Sequence, residues 1–535
     1  MLALDRFLVG VLARARSSVT LLASVACCMT GAARAADHPL IAAAKDADMA
    51  AVSQLIEQGV DVTVAAADGS TALLWAAYHS DPEMALALVR AGADVDAANN
   101  YGVTPLLQSS RTGDTAVMAV LVDAGANVEL AHPEGVTPLM AASGAGRADA
   151  VAMLLQRGAD VNAADEFQQQ TALMWAASEG HLAVVEALLE AGADPNLQAR
   201  VNTLTERKNA DYPSGGFTAL MWAARNGYEA VVRRLAASGA DLNLTNGDGA
   251  TAMMMSIVND RYDLAAVLVE LGANVDDGSL YHAVEMRDAT TDWYARDGSR
   301  LRPNHDNEHT ALDLIRVLLE AGADPNKQFV GQMHSAAMCC DSFANASPFF
   351  RAAIAADVEA LKLLVAHGAE LEWTPERTAE GGGPRSNANV GLTPIMVAMN
   401  GGKGVALSAG PGYSREGPPP FREPSNREPA DAVRFLLSAG ANPDALDPDG
   451  EATLHNAVRA GKIEVVRALA EGGATLDLLN KDGLTALFLA ENPLEEEESS
   501  PFGPQRDRGA PPEEVAAVLR EAMLAAGIAI AEAQD

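Results

Sequence analysis

The sequence of 535 residues has few aromatic side chains, four cysteines and little positive charge. Aromatic residues make up 4% of the chain although 49% of it is hydrophobic, so most of its apolar surface comes from small and aliphatic side chains. This composition favours closely stacked helices over one thick core, and a single compact domain of this length would be unusual. We therefore expect a stacked array in which each unit contacts only its neighbours.

Positive charge is scarce, because 38 Lys and Arg stand against 72 Asp and Glu and give a formal net charge of −34. A chain with this charge is repelled by nucleic acid and by anionic membrane surfaces. We therefore expect no nucleic-acid partner. The charge favours a protein partner with a basic patch, although an array that is simply well solvated accounts for it too.

The first 35 residues have the features of an export signal. A basic start is followed by an apolar run over residues 19–29 and by the small-x-small sequence Ala33-Arg34-Ala35. We expect cleavage near Ala35 and a mature chain in the periplasm or outside the cell. Cys27 leaves a lipid anchor open as an alternative, and the absence of export is a third interpretation. The apolar run is too short to span a bilayer as a helix, and no later stretch qualifies.

The stretch from Gln170 to Asn196 contains a pattern that recurs along the chain. Thr171 is suited to cap a short helix through its hydroxyl, and Gly180 ends that helix. A second helix follows, and its apolar residues at i, i+3, i+4 spacing are Val184, Val185, Leu188 and Leu189. Gly192 then provides a left-handed C-terminal cap. Such a helix pair cannot bury its own apolar face and becomes stable only when a near-copy stacks against it.

Near-copies of this stretch follow at a period of about 33 residues. The residue equivalent to Thr171 recurs at Thr71, Thr104, Thr137, Thr218, Thr251, Gly278, Ser347, Thr393, Ala452 and Thr485. The motif Thr-Pro-Leu stands at Thr104-Pro105-Leu106. The motif Gly-Ala-Asp-x-Asn, or a close variant of it, follows many second helices. The period and these two motifs resemble the ankyrin repeat. One unit, Leu454-His455-Asn456-Ala457, keeps the family's Leu-His-x-Ala, whereas Leu or Met replaces that His elsewhere.

The resemblance implies an all-α fold, an ankyrin-repeat solenoid of about 12 helix-pair units with short β-hairpin fingers and several loop insertions. We expect a signal peptide (1–35), an N-terminal capping repeat (36–67), regular repeats (68–197), repeats with insertions (198–490), an acidic, proline-containing loop (491–512) and a C-terminal capping helix with a tail (513–535). The insertions are expected at 198–215, 288–308, 327–346, 374–390 and 401–429. The second and the last of them separate the two helices of one unit, and the others enlarge fingers.

Ankyrin proteins usually bind partners on the concave surface formed by their fingers and first helices. The resemblance implies that the residue four positions after the motif Thr faces that groove. The partner-binding residues predicted on this register are Trp75, Gln108, Trp175, Trp222, Met255, His282 and Arg351. Three of the five Trp lie on it, and exposed aromatic residues are typical anchors of protein interfaces. The alternative is that each Trp packs against small residues of the next unit.

One finger insertion brings soft metal ligands together in the sequence: Met333, His334, Met338, Cys339 and Cys340. Such thioether, imidazole and thiol groups suit Cu(I) or zinc. The adjacent cysteines leave two other interpretations open, a Cys339–Cys340 disulfide and inert buried thiols. His305 and His309 have the spacing of a helical metal site, but their polar surroundings favour a loop.

No phosphate-binding loop and no nucleophile motif occurs in the sequence. We therefore expect a monomeric, non-catalytic scaffold that binds another protein and needs no cofactor. Two other functions stay open. One is a metal- or redox-handling accessory protein that uses the segment from Met333 to Cys340, and the other is an enzyme whose site is built from the insertions at 288–308 and 401–429.

Overall fold

The structure is a computed structural model that describes residues 38–203, 213–287, 306–330, 345–376, 389–399, 427–493 and 509–529. This part of the chain contains 24 α-helices, which pair in chain order into 12 repeats and confirm the predicted all-α fold. The helices, two to a repeat from repeat 1 to repeat 12, are Pro39–Lys45, Met49–Glu57, Ala72–His79, Pro82–Arg90, Pro105–Thr112, Thr115–Asp123, Pro138–Gly144, Ala148–Gln156, Ala172–Glu179, Leu182–Glu190, Ala219–Asn226, Glu229–Ala237, Ala252–Val258, Tyr262–Glu270, Ser279–Met286, Ala311–Glu320, Pro348–Ile354, Val358–Ala366, Pro394–Ala398, Pro429–Ala439, Thr453–Arg459, Ile463–Glu471, Ala486–Glu491 and Pro512–Ala525.

Two short antiparallel hairpins extend the fingers. Val201–Thr203 pairs with Pro213–Gly215 between repeats 5 and 6, and Phe329–Val330 pairs with Asn345–Ala346 between repeats 8 and 9. Four other fingers show an isolated bridge within the described residues, such as the one between Ala164 and Thr171. Within the described ranges, no helix is long and apolar enough to cross a membrane.

The chain forms two compact units. The N-terminal unit contains the described residues up to Gln108 together with Ala119–Ala126. The C-terminal unit contains Ser109–Met118 and the described residues from Asn127 onward. Repeats 1 and 2 therefore belong to the N-terminal unit, repeats 4 to 12 belong to the C-terminal unit, and repeat 3 contributes to both.

In most repeats the first helix begins where a hydroxyl caps it. In repeat 5, Thr171 Oγ1 accepts a hydrogen bond from the Met174 N–H at 3.4 Å, and in repeat 6 Thr218 Oγ1 accepts one from the Met221 N–H at 3.2 Å. Ser347 caps the first helix of repeat 9 in the same way. Loss of such a cap typically costs about 1 kcal/mol. The recurrent hydroxyl in the sequence thus fixes where each of these helices starts.

In repeat 5 the first helix buries small side chains beside Leu173 and Met174, whereas the second buries aliphatic side chains. The small residues, such as Ala172, Ala176 and Ala177, let the first helices of repeats 4 and 6 pack against the first helix of repeat 5. The second helix buries the larger Val184, Val185 and Leu188, while Leu189 is half-buried. Full burial of one such aliphatic side chain contributes about 1.5 to 3 kcal/mol. Stacking of the repeats therefore supplies the stability that a single helix pair lacks.

A ladder of hydrogen bonds joins successive repeats of the C-terminal unit. In each step a side-chain oxygen after one second helix accepts a hydrogen bond from a backbone N–H after the next, at 2.7–2.9 Å. The accepting residues are Glu129, Asn162, Asn196, Asn243, Asp276, Asn326, Glu372 and Asp444. The recurrent motif after the second helices is therefore an inter-repeat connection as well as a turn.

The turn between the two helices of a repeat requires a left-handed backbone. Gly180 has φ of 77°, and a Cβ at this position would lie 2.6 Å from the ring of Tyr228 in the next repeat. Ala47 in repeat 1 takes a similar conformation with φ of 56°. Because the left-handed region is unfavourable for a residue with a Cβ, Ala47 is held there at a cost.

Candidate partner-binding surface

The structure places the seven predicted partner-binding residues in two environments. Trp75, Trp175 and Trp222 are half-buried on the first helices of their repeats. The other four are buried in the free chain, with exposed fractions of 6% for Gln108, 7% for Met255, 4% for His282 and 2% for Arg351. A half-buried indole can offer contact area to a partner, whereas these four offer little. Partner binding by the seven residues stays a prediction.

Trp175 lies across a glycine of the preceding repeat. A Cβ on Gly144 would come within 2.8 Å of Trp175 Cε3, so the indole occupies space that any other residue at position 144 would enter. Part of Trp175 therefore packs against a small residue, as the alternative interpretation expects, although in the preceding rather than the next unit. The side chain as a whole is half-buried.

Trp222 is the centre of three residues of repeat 6 that we call the Trp222 cluster: Phe217, Trp222 and Arg225. The rings of Phe217 and Trp222 lie 4.7 Å apart at a tilt of 31°, and the Arg225 guanidinium lies over the indole, 5.5 Å from its centroid. Phe217 also packs against a buried cluster in repeat 7 that includes Met254 and Met255. The Trp222 cluster is therefore fixed to the core through Phe217 and exposed at Arg225.

Trp75 is surrounded by polar aromatic rings in the N-terminal unit. Tyr78 meets it edge-on at 5.5 Å, His79 stacks on it at 6.1 Å, and the Lys45 ammonium lies 5.6 Å from its centroid. Tyr78 is 57% exposed. The N-terminal unit thus presents an aromatic surface of its own around Trp75.

The indole N–H groups of Trp75 and Trp222 are buried and have no hydrogen-bond partner within the part of the chain that the structure describes. Native proteins leave few buried donors unpaired, because the donor has lost its water without a replacement. A phenylalanine would fill much of the same space without this cost. Packing alone therefore does not account for the tryptophans.

His282 is buried because the enlarged finger covers it. Phe329, the first residue of the hairpin after repeat 8, lies 4.7 Å from the imidazole and stacks on Tyr281 at 5.0 Å. The His282 Nδ1 lies 3.1 Å from Glu285 Oε2, and both side chains are almost fully buried. The position that the register assigns to the groove is therefore part of the interior in this repeat.

A cleft of about 270 Å³ lies beside this finger in the C-terminal unit. Its lining includes the carboxylates of Asp276, Asp277 and Asp324, and the rings of Tyr281 and Phe329. Among the residues that the structure describes, no group of three or more His, Cys, Asp or Glu side chains is arranged to hold a metal ion. The segment with Met333, His334, Met338, Cys339 and Cys340 lies outside the described residues, as do the predicted signal peptide and its cleavage site.

His309 lies in the turn before the helix Ala311–Glu320, and His305 is outside the described residues. The His309 Nδ1 is 2.7 Å from Asp263 Oδ1, and Asp263 also accepts the backbone N–H groups of Glu308 and His309, both at 2.8 Å. Burial raises the pKa of Asp263, but these hydrogen bonds outweigh it and lower the pKa overall. The histidine therefore ties this loop to the second helix of repeat 7.

A buried ion cluster that the sequence analysis missed joins repeats 8, 9 and 10. Asp357, 2% exposed, accepts two hydrogen bonds from Arg287, at 2.6 and 3.1 Å, and pairs with Arg427 at 2.8 Å. Burial raises the pKa of Asp357, but the hydrogen bonds from Arg287 and the charges of both arginines lower it overall. The sequence can predict that Asp357 caps a helix. It cannot predict that Asp357 pairs with Arg287 and Arg427, because each of them lies 70 residues away along the chain.

Arg287 and Arg427 lie at two of the predicted insertions. Arg287 directly precedes 288–308, and Arg427 lies near the end of 401–429, two residues before the helix Pro429–Ala439. The Arg427 Nη2 additionally donates to the Arg287 carbonyl at 2.8 Å. Asp357 thus holds the described ends of the two insertions that separate helix pairs.

Comparison with known proteins agrees with this architecture. The family model for ankyrin repeats matches residues 20–99, 40–132, 82–165, 125–199, 200–279 and 425–495, together more than half of the chain. The chain therefore belongs to the ankyrin-repeat family. Ankyrin repeats are generally protein–protein interaction scaffolds, and they are typically non-catalytic.

Individual relatives cover only part of the chain. The Notch-regulated ankyrin repeat-containing proteins of Xenopus tropicalis and Homo sapiens are each 30% identical to it over 69 residues, which is 13% of this chain and 60% of the relative. The chain thus spans about 60% of the length of these curated relatives. Among solved structures it is similar to the human ASB11 ankyrin repeat domain (25% identity, 44% of this chain and 99% of that one, TM-score 0.38). It is also similar to the ankyrin repeat domain of Bcl-3, a member of the IkappaB family (28% identity, 41% of this chain and 94% of that one, TM-score 0.36).

Proposed function

We propose that this chain is a non-catalytic scaffold that binds a partner protein through Trp175 and Trp222 of its C-terminal unit. The observation that carries the proposal is the Trp222 cluster, in which an aromatic pair fixed to the core lies beside an exposed arginine. Tryptophan and arginine are enriched among the residues that dominate interface energies. The buried, unpaired N–H of Trp222 supports a role beyond packing.

The repeats hold this surface ready before a partner arrives. Trp175 and Trp222 lie on neighbouring first helices that pack against each other and are capped by Thr171 and Thr218. Binding to such a preformed surface loses little conformational entropy, so more of the contact energy remains as affinity. We propose that the hairpin of Val201–Thr203 and Pro213–Gly215 adds specificity at its edge.

The proposal is tested with a partner recovered by crosslinking in the native cell and then purified. We expect Trp222→Ala and Trp175→Ala each to weaken binding by about tenfold or more, because truncation of an interface anchor typically costs over 1 kcal/mol. Trp373→Ala is the matched control, since Trp373 is also half-buried but lies outside the register. Unchanged affinity together with a large loss of thermal stability would show that Trp175 and Trp222 are core residues.

We also propose that the chain is exported and cleaved near Ala35. The support is the basic start, the apolar run over 19–29 and the small residues Ala33 and Ala35. Expression of the full sequence in a Gram-negative host should give a periplasmic protein whose mass begins at Ala36. A protein retained in the cytosol with its first 35 residues, or one carrying lipid on Cys27, would contradict this.

A further inference from the structure

Repeat 11 pairs its first-helix arginine with a carboxylate of its own finger. The Arg459 Nη2 donates a hydrogen bond to Glu451 Oε1 at 2.9 Å, and Glu451 is 3% exposed. The same oxygen accepts the Asn480 Nδ2 at 2.9 Å. Glu451 lies one residue before Ala452, the residue that precedes the helix Thr453–Arg459, and Arg459 lies seven residues after Ala452. One repeat therefore supplies both halves of the ion pair.

Repeat 6 has the arginine without the carboxylate. Arg225 lies seven residues after the capping Thr218, but Phe217 occupies the position that Glu451 holds in repeat 11. The Arg225 guanidinium lies over Trp222 and makes no hydrogen bond or ion pair with the residues that the structure describes. Removal of water from the guanidinium beside these rings lowers the pKa of Arg225.

Arg225 pairs with no carboxylate among the residues that the structure describes, although the chain is acidic. With 72 Asp and Glu for 38 Lys and Arg, a carboxylate is available to most cations. Exposed arginines of the C-terminal unit that pair with one include Arg233, Arg316, Arg434 and Arg520. The position of Arg225 on the first-helix face, beside Trp222, therefore leaves its charge available to an external anion.

We propose that Arg225 receives the carboxylate of an Asp or Glu side chain from the partner protein, in the place that Glu451 takes in repeat 11. A guanidinium matches a carboxylate with two parallel N–H donors, which gives strong and directional pairing. Trp222 orients the guanidinium plane, and the adjoining rings exclude water, which strengthens a charge-assisted hydrogen bond. The inference rests on the proposed function, because it names the partner's chemistry at the same surface.

The net charge of −34 does not oppose this contact at short range. Fields from distant charges are screened beyond about 8 Å at physiological ionic strength, so the groups next to Arg225 decide the local interaction. Among those groups is the ring of Trp222, which lies under the guanidinium and adjoins the ring of Phe217. An acidic residue flanked by apolar ones would therefore fit the Trp222 cluster.

The probe is a random-peptide display library selected on the full chain, followed by synthesis of the enriched peptides. We expect the peptides to share an Asp or Glu beside an apolar residue. Arg225→Gln should raise their Kd by about tenfold or more, and Arg225→Lys, which keeps the charge but not the planar donors, should raise it less. Replacement of the acidic peptide residue by its amide should give a similar loss that does not add to that of Arg225→Gln.

Three further variants sharpen the test, and the thermal midpoint of each is measured as a check on folding. Arg459→Gln is the matched control and should leave the Kd unchanged, because Glu451 already pairs with Arg459. Phe217→Glu recreates the arrangement of repeat 11 and should weaken binding, because its carboxylate occupies Arg225. Phe217→Leu controls for the loss of the ring.

The inference and the proposed function fail in different ways. Peptides that bind more weakly to Trp222→Ala but equally well to Arg225→Gln would overturn the carboxylate assignment and leave the protein-binding surface standing. Peptides insensitive to both substitutions, or a selection that yields none sensitive to Trp222→Ala, would overturn both.

Discussion

Asn196 in repeat 5 accepts, through Oδ1, a hydrogen bond from the backbone N–H of Asp241 in repeat 6 at 2.7 Å. The two residues are 45 positions apart, whereas the equivalent bond from Asp194 to Asn162 spans 32 positions and measures 2.9 Å. The finger insertion between them therefore leaves the stacking of the repeats unchanged. A solenoid can enlarge a finger in this way because the ladder and the helices carry the stacking.

Asn196→Ala should loosen the junction between repeats 5 and 6. The carboxamide also donates through Nδ2 to the Gly239 carbonyl at 3.1 Å, so the substitution removes two hydrogen bonds. At a net value of about 0.5 to 1.5 kcal/mol for each, we expect the local opening free energy to fall by about 1 to 2 kcal/mol. Hydrogen exchange at the Asp241 amide measures this. Asn162→Ala, which removes a single such bond to the next repeat, should have a smaller effect, and equal effects would contradict the account.

Ala47→Gly should stabilise repeat 1. Ala47 is exposed and has φ of 56°, so the substitution relieves the Cβ of a left-handed residue without loss of buried surface. Relief of about 1 to 2 kcal/mol is partly offset by the greater freedom of glycine in the unfolded chain, which leaves a gain of about 0.5 to 1 kcal/mol. Slower hydrogen exchange over residues 38–57 would show it.

The matched substitution in the opposite direction is Gly180→Ala. It places a Cβ 2.6 Å from the Tyr228 ring at φ of 77°. We expect it to speed exchange in repeat 5 by lowering the local opening free energy by about 1 to 3 kcal/mol. No change from Gly180→Ala would show that the turn tolerates a Cβ.

Asp357→Asn should destabilise repeats 8 to 10. The substitution leaves Arg287 and Arg427 without their buried carboxylate, and the loss of one partner of a buried ion pair typically costs about 3 to 5 kcal/mol. The midpoint of urea unfolding is the measurement. Asp431→Asn is the control, because Asp431 pairs with Arg434 at the exposed surface and should contribute less than about 1 kcal/mol.

The same variant should change the dependence of stability on pH. The pKa of Asp357 in the folded chain is lowered from its ordinary value of 3.8, so its carboxylate contributes stability above pH 3.8. That contribution disappears as the pH falls through the lowered pKa. The stability difference between wild type and Asp357→Asn should therefore be constant near neutral pH and shrink below pH 3.8. A difference that grows in acid would contradict the assignment.

Gly144→Ala should displace the indole of Trp175. A Cβ at residue 144 would lie 2.8 Å from Trp175 Cε3, so the ring must move, although alanine itself favours the helix by about 1 kcal/mol over glycine. We expect a changed Trp175 fluorescence with thermal stability close to that of wild type, and weaker binding if Trp175 contacts the partner. In a Trp175→Phe background the spectral change should be absent.

The parts of the fold that were predictable depend on short stretches of chain. A hydroxyl such as that of Thr171 caps a helix by reaching an N–H three residues ahead, and the turn at Gly180 depends on its own φ. The register that singled out the tryptophans has the same local origin. The register correctly placed Trp175 and Trp222 on a half-exposed face. It placed His282 on the same face, but Phe329 of the enlarged finger buries that residue.

The sequence by itself determined the repeat period, the start of each capped helix and the ankyrin-type pairing, because these follow from contacts within a few residues. Only the tertiary structure decided that Asp357 joins Arg287 and Arg427. It also decided that Arg459 pairs with a carboxylate whereas Arg225 pairs with none among the residues that the structure describes. Equivalent positions in a repeat protein share a backbone but not their neighbours. Charge pairing and exposure therefore depend on which side chains the fingers and insertions bring to each position.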